Sequence, residues 1–246
     1  YLAVLASLLA MRVFREERRP GDARLLEELT TGFRYVTGFT PIRTVLLLLA
    51  VVSTMGMPYA VLMPAVAAKL LHGGPHTLGW LMTAGGVGAL AGAFFLAARP
   101  SILGLGRVIA TASGTFGAAL IALGLSRALW LSLLIMPLIG AGFMVSLAGS
   151  NTIIQTLTEE HLRGRVMAFY TMAFLGTAPL GSLLAGVLAD RIGEPATIAA
   201  GGAVCLLGAV WFAGRLPQLR ELVRPIYIER GIIAAPAIEA DEAGAT

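Results

Sequence analysis

Long unbroken apolar runs separated by short polar connections dominate this chain, without the ~10-residue segments of alternating polarity that mark a lipid-facing β-barrel strand. Such runs are helices, and six of them approach or exceed the ~20 residues that cross a ~30 Å hydrocarbon core. The predicted crossings are Thr44 to Leu71, Thr77 to Ala98, Val108 to Leu125, Ala128 to Leu157, Val166 to Ala189 and Ala196 to Ala213. Pro58 and Pro64 in the first and Pro137 in the fourth predict kinks whose freed carbonyls must be satisfied by neighbouring helices or hydroxyls.

Ahead of the first crossing, Leu25, Leu29, Phe33 and Val36 recur at helical spacing opposite Glu27, Glu28 and Arg34. With Asp22 as cap and Pro41 as terminator, this predicts an amphipathic helix on the membrane surface or packed under the bundle. Leu2 to Val13 is apolar but too short to span, and it lacks the basic start and cleavage site of a secretory signal. It reads as the end of a truncated helix, so the chain is expected to be the C-terminal part of a longer protein. The predicted organisation is therefore residues 1–13 as that helix end and 14–43 as a cytoplasmic loop with the amphipathic helix. A six-helix transmembrane bundle follows over 44–215, and a polar cytoplasmic tail over 216–246 ends in Glu239, Asp241 and Glu242.

Composition excludes a soluble domain. Of 246 residues, 57% are hydrophobic and only 13% charged, against roughly 25% charged for an ordinary soluble domain, and the mean hydropathy is +0.82. The chain must be solvated by lipid. Lys and Arg set its orientation. Arg12, Arg15, Arg18, Arg19, Arg24, Arg34, Arg43, Arg99, Arg107, Arg163, Arg165, Arg215, Arg220, Arg224 and Arg230 fall on one side of the predicted crossings; Lys69, Arg127 and Arg191 fall on the other. This places the first loop and the C-terminus in the cytoplasm. The net charge of +4 is membrane topology and not a nucleic-acid footprint, because the cations are dispersed among loops.

Candidate chemistry is limited by missing carboxylates. No Asp or Glu occurs between Glu28 and Glu159, and Asp190 closes the fifth crossing. Acid–base catalysis, oxygen-ligand metal sites and buried proton relays need such groups close together, so no catalytic residue, metal site or cofactor is expected. Gly86 to Ala91 fits the letters of a GxGxxA dinucleotide fingerprint but lacks the preceding strand and the acid about 20 residues on. Gly85, Gly88 and Gly92 read instead as helix packing. Cys205 stands alone, and His72 and His76 flank a Gly-Gly-Pro turn. Ser146, Ser150, Asn151, Thr152 and Gln155 cluster in the fourth crossing; Ser53, Thr54 and Tyr59 surround Met55, Met57 and Pro58 in the first. The plain reading is interhelical hydrogen bonding; the functional one is a polar, Met-lined path through the bundle.

Leu25-Leu26-Glu27-Glu28-Leu29 followed by Gly32-Phe33-Arg34-Tyr35-Val36 and Pro41-Ile42-Arg43 resembles the cytoplasmic helix entering the seventh span of major facilitator superfamily transporters. The resemblance is to the transmembrane secretion effector branch, which includes enterobactin exporter-like and macrolide efflux-like proteins. Arg163-Gly164-Arg165-Val166-Met167 resembles the loop before that branch's eleventh span. Gly176, Pro179, Leu180, Gly181, Ser182 and Gly186, running to Asp190-Arg191 and Gly193, resemble the span itself. The loop holding Arg99 and Arg107 matches only faintly the Asp-bearing motif that superfamily members repeat between spans eight and nine.

The resemblance implies an all-α integral membrane fold: the C-terminal six-helix bundle of a two-bundle transporter, an inverted 3+3 repeat. Its partners would be the lipid bilayer, the missing N-terminal bundle of the same protein and a small-molecule substrate, in the bacterial inner membrane. It places the seventh and tenth helices along the cavity and the eighth and eleventh against the partner bundle. The expected function is secondary active efflux of a small amphipathic molecule, drug or siderophore-like, by alternating access. Met57, Tyr59, Phe143, Ser150, Asn151 and Gln155 are the expected path residues. Arg165 and Asp190 are expected as helix-end charges that change partners between states, and Gly85, Gly88, Gly92, Gly176, Gly181 and Gly186 as packing positions. Proton coupling is assigned to the missing half, and the chain alone is not expected to transport. The rival reading is a self-contained six-span permease subunit or membrane assembly protein.

Overall fold

The computed structural model describes residues 22–233; the helix end expected at residues 1–13 and the acidic residues of the tail lie outside them. Helix α1, Asp22–Gly38, precedes six spans. These are α2 (Thr40–Leu70), α3 (Pro75–Ala97), α4 (Leu105–Leu125), α5 (Leu129–Leu157), α6 (Glu160–Ile192) and α7 (Glu194–Glu229). All are long and apolar enough to cross a membrane, and no strand occurs among the described residues. The protein is an all-α membrane bundle.

Short connections force neighbouring spans to run antiparallel. The closest pairings are α4 with α7, α3 with α5 and α4 with α5. Burial is uneven: 56% of the most apolar stretch of α4 is buried, but only 22% of that of α3 and 11% of that of α6. Trp80, Val87, Leu90 and Phe94 on α3 and Met172, Leu175, Leu180 and Leu183 on α6 are accordingly exposed. Since α6 touches α2 and α3 touches α5, the two sparsely covered spans flank α2 and α5.

Two element boundaries differ from the sequence expectation. Pro41 does not end α1; the helix breaks at Phe39 and Pro41 sits in the first turn of α2, where its missing N–H costs nothing. The last helix continues well past Ala213, through Pro217 and Pro225 to Glu229, because Leu219 and Val223 continue an apolar face that buries against the bundle. Helix α1 packs under the bundle against the starts of α2 and α6. Val36 is buried there, and exposed Phe33 meets Phe169 at 6.2 Å between ring centroids.

Candidate functional site

The prolines of α2 do more than bend it. Pro58 has no N–H for the Thr54 carbonyl, and the helix widens into a π-turn over Val52–Gly56, where the Met57 N–H reaches the Val52 carbonyl at 3.1 Å. A second π-turn, Val66–Leu70, follows Pro64. Helix α6 carries its own, Met172–Gly176, ahead of Pro179. The first and last of these meet: the Ser53 hydroxyl donates to the Phe174 carbonyl across the α2–α6 seam. A carbonyl in the widened turn of one helix thus accepts a hydrogen bond from a hydroxyl in the widened turn of another, the kind of partner that irregular backbone needs in hydrocarbon.

Glycines let the other helices press on the widened turn. A Cβ built on Gly181 would lie 2.1 Å from the Thr54 carbonyl oxygen, and one on Gly201 2.3 Å from that of Met55. On the far side, a Cβ on Gly56 would strike the Phe116 ring at 2.3 Å. Beside it runs an aromatic chain drawn from four spans. Tyr59 of α2 lies 6.3 Å from Phe116 of α4, Phe116 lies 5.6 Å from Phe143 of α5, and Phe143 lies 6.1 Å from Phe174 of α6. Phe116, Phe143 and Phe174 fall near the middle of their spans, so the cluster occupies the bundle's midplane.

The expected path residues divide across this site. Tyr59 and Phe143 belong to the aromatic chain, and Met57 is half-buried next to the α2 break. Ser150 is 1% exposed with no hydrogen-bond partner for its hydroxyl, packed in the bundle interior. Half-buried Asn151 accepts a hydrogen bond from the exposed Gln155 amide one turn on. Gln155 reaches a separate polar cavity of about 510 Å³ at the arginine-rich end, shared with Thr152, Thr156, Arg163 and Arg230. The six therefore descend from midplane to that end and do not form one cluster. Arg165 is half-buried against Gly32 of α1, whereas Asp190 is exposed at the opposite end of α6, about 37 Å away along the helix at ~1.5 Å per residue.

The packing glycines divide too. Gly85, Gly88 and Gly92 face α5: a Cβ on Gly88 would lie 2.0 Å from the Pro137 carbonyl oxygen, and one on Gly140 1.9 Å from that of Gly85. Gly181 faces α2, while Gly176 and Gly186 are exposed, with nothing but Met172 of its own helix near Gly176 and nothing within 4 Å of Gly186.

Sequence reasoning passed over Phe116 and Phe174, because apolar positions inside an apolar run carry no signal of their own; it grouped Ser53 with the polar residues of the first crossing but not with its partner on α6. It also missed the pair of Lys69 and Glu194, 2.5 Å apart at the arginine-poor end. Only their shared location beside short loops, one in each half of the chain, hinted at it. Inside the bundle, Ser113 and Ser146 hydrogen-bond at 2.7 Å and the Tyr170 hydroxyl donates to the Leu147 carbonyl at 3.0 Å.

Broken helices thus meet around a midplane cluster in an all-α membrane bundle, two of whose spans are sparsely covered. The family described as transmembrane secretion effector matches residues 1–227. The chain belongs to that family, within the major facilitator superfamily. It is 32% identical over 229 residues to the multidrug efflux pump Tap of Mycolicibacterium fortuitum, covering 89% of this chain and 55% of the pump. It is 32% identical over 200 residues to Tap of Mycobacterium tuberculosis H37Rv, covering 80% of this chain and 47% of that protein. The chain thus spans about half the length of the curated relatives it matches. No solved structure matches it.

Proposed function

We propose that this bundle is one half of a secondary active exporter that moves small amphipathic molecules by alternating access, rocking against an N-terminal bundle of the same protein. The observation that carries the reading is the uncovered apolar side on α3 and α6, flanking the broken α2 and the aromatic chain on α2, α4, α5 and α6. In a lone bundle this side meets lipid; in a two-bundle transporter it meets the partner, and Gly176 and Gly186 let a partner helix approach closely. Family membership and the efflux relatives supply the direction of transport. The multidrug character of Tap suits a path lined by π faces and methionine, which accommodate varied apolar shapes without fixed hydrogen bonds.

In this reading Tyr59, Met57 and Phe143 contact the substrate at midplane, Asn151 and Gln155 line its approach, and Ser150 supplies an interior hydroxyl. Arg165 at one end of α6 and Asp190 at the other exchange partners as the bundles rock. The arginine-rich end faces the cytoplasm of a bacterial inner membrane, and coupling resides in the N-terminal bundle.

Expression together with its upstream coding sequence in an efflux-deficient bacterium tests this. Ethidium accumulation should fall below that of vector-only cells and recover with an uncoupler. Accumulation equal to the vector control, with the protein present in the membrane, would overturn the reading.

A further inference from the structure

A cavity of about 540 Å³ lies away from the midplane site. It opens at the arginine-rich end, where the start of α4, the end of α5 and the last turns of α7 converge on the start of α2. Its walls are apolar and well buried: Leu157, Phe212, Leu219 and Val223 are each at most 7% exposed. Its rim carries three exposed guanidinium groups, Arg107, Arg220 and Arg224. Among the described residues, none of the three forms a salt bridge and no carboxylate lines the cavity.

We infer that this cavity seats an anionic phospholipid, its phosphate held by Arg107, Arg220 and Arg224 and an acyl chain laid along α7 toward Phe212. The dimensions suit that occupant. Phe212 to Arg224 is about 18 Å of helix at ~1.5 Å per residue, close to one leaflet of a ~30 Å hydrocarbon core plus the headgroup level. Charge is complementary at one end and polarity at the other, which a soluble anion or a neutral lipid satisfies only in part. Basic pockets between membrane helices recognise acidic headgroups by this combination. The position also separates the cavity from the proposed path: it lies at the close α4–α7 seam and not between the sparsely covered α3 and α6. The inference therefore stands independently of transport.

Native mass spectrometry of the purified protein with dioleoyl phosphatidylglycerol or dioleoyl phosphatidylethanolamine tests it. Wild type should retain phosphatidylglycerol at least ~10-fold better. A triple Arg107→Gln, Arg220→Gln, Arg224→Gln variant should lose on the order of a hundredfold in phosphatidylglycerol affinity if the three contributions add. Since all three side chains are exposed, its melting temperature should match wild type. Leu216→Trp, which fills the apolar part with the charges intact, should weaken phosphatidylglycerol retention as well. Equal retention of the two lipids by wild type, unchanged binding in the triple variant, or unchanged binding in Leu216→Trp would each overturn the assignment. Full displacement by millimolar glycerol 3-phosphate would overturn it too, by making the rim a site for soluble anions.

Discussion

Gly181 of α6 rests directly on the Thr54 carbonyl of α2, the backbone oxygen that Pro58 leaves without its helical partner. A side chain at 181 would have to displace one of the two helices. Gly181→Ala should therefore lower the stability of the detergent-solubilised protein by about 1–3 kcal/mol, the usual cost of overpacking. Gly186→Ala on the same helix meets nothing and should leave the melting temperature equal or slightly raised, since Ala is the better helix former. If Gly186 faces a partner bundle as proposed, that variant should still lose transport in the complete protein. Melting temperature and ethidium accumulation measured on both variants separate the two effects.

The α3–α5 seam makes a second contrast. Backbone meets backbone at Gly88 and Pro137, and at Gly140 and Gly85, so Gly88→Ala should be more damaging than Gly86→Ala, whose position is open. We expect a loss of about 2–3 kcal/mol for the first and no measurable loss for the second. Thermal denaturation in detergent reads the difference, and equal behaviour of the two would contradict the packing described.

Ser53 bridges the two widened turns through the Phe174 carbonyl. Ser53→Ala should cost about 1 kcal/mol, within the range of interhelical hydrogen bonds in membrane proteins, and Ser53→Thr, which keeps the hydroxyl, should recover part of it. Hydrogen exchange should show faster exchange at Met172 to Gly176 in the alanine variant only.

Orientation is accessible to labelling, because Cys205 is fully buried and supplies little background. A cysteine at Ser101, in the loop between α3 and α4, should resist a membrane-impermeant maleimide in intact cells. One at His76, at the start of α3, should react. The reverse pattern would place the arginine-rich end outside and remove the basis for the proposed sidedness.

Phe116 is the hinge of the aromatic chain and has no exposed surface. Phe116→Ala should destabilise the bundle by about 3 kcal/mol or more through the cavity it leaves. Half-buried Phe143→Ala should cost less in stability and change the range of compounds expelled, as resistance profiles against several dyes would show.

What the sequence alone determined is the number, type and approximate position of the spans, and the family. Unbroken apolar runs cannot satisfy their backbone in lipid except as helices, so composition and length decide the architecture before any tertiary contact is considered. Arginine placement is equally local, since each loop lies beside its own span. The boundary at Ala213 was misjudged because a helix end is set by what the next turns pack against, and Leu219 and Val223 find that surface only in the fold. Tertiary structure alone decided which residues share a site. Phe116, Phe143 and Phe174 sit on separate helices and meet because of helix crossing, while Ser150 and Gln155, close in sequence, part to the bundle interior and the arginine-rich end. It also decided which glycines press on a neighbour, since a missing side chain acquires meaning only from the backbone that fills its place.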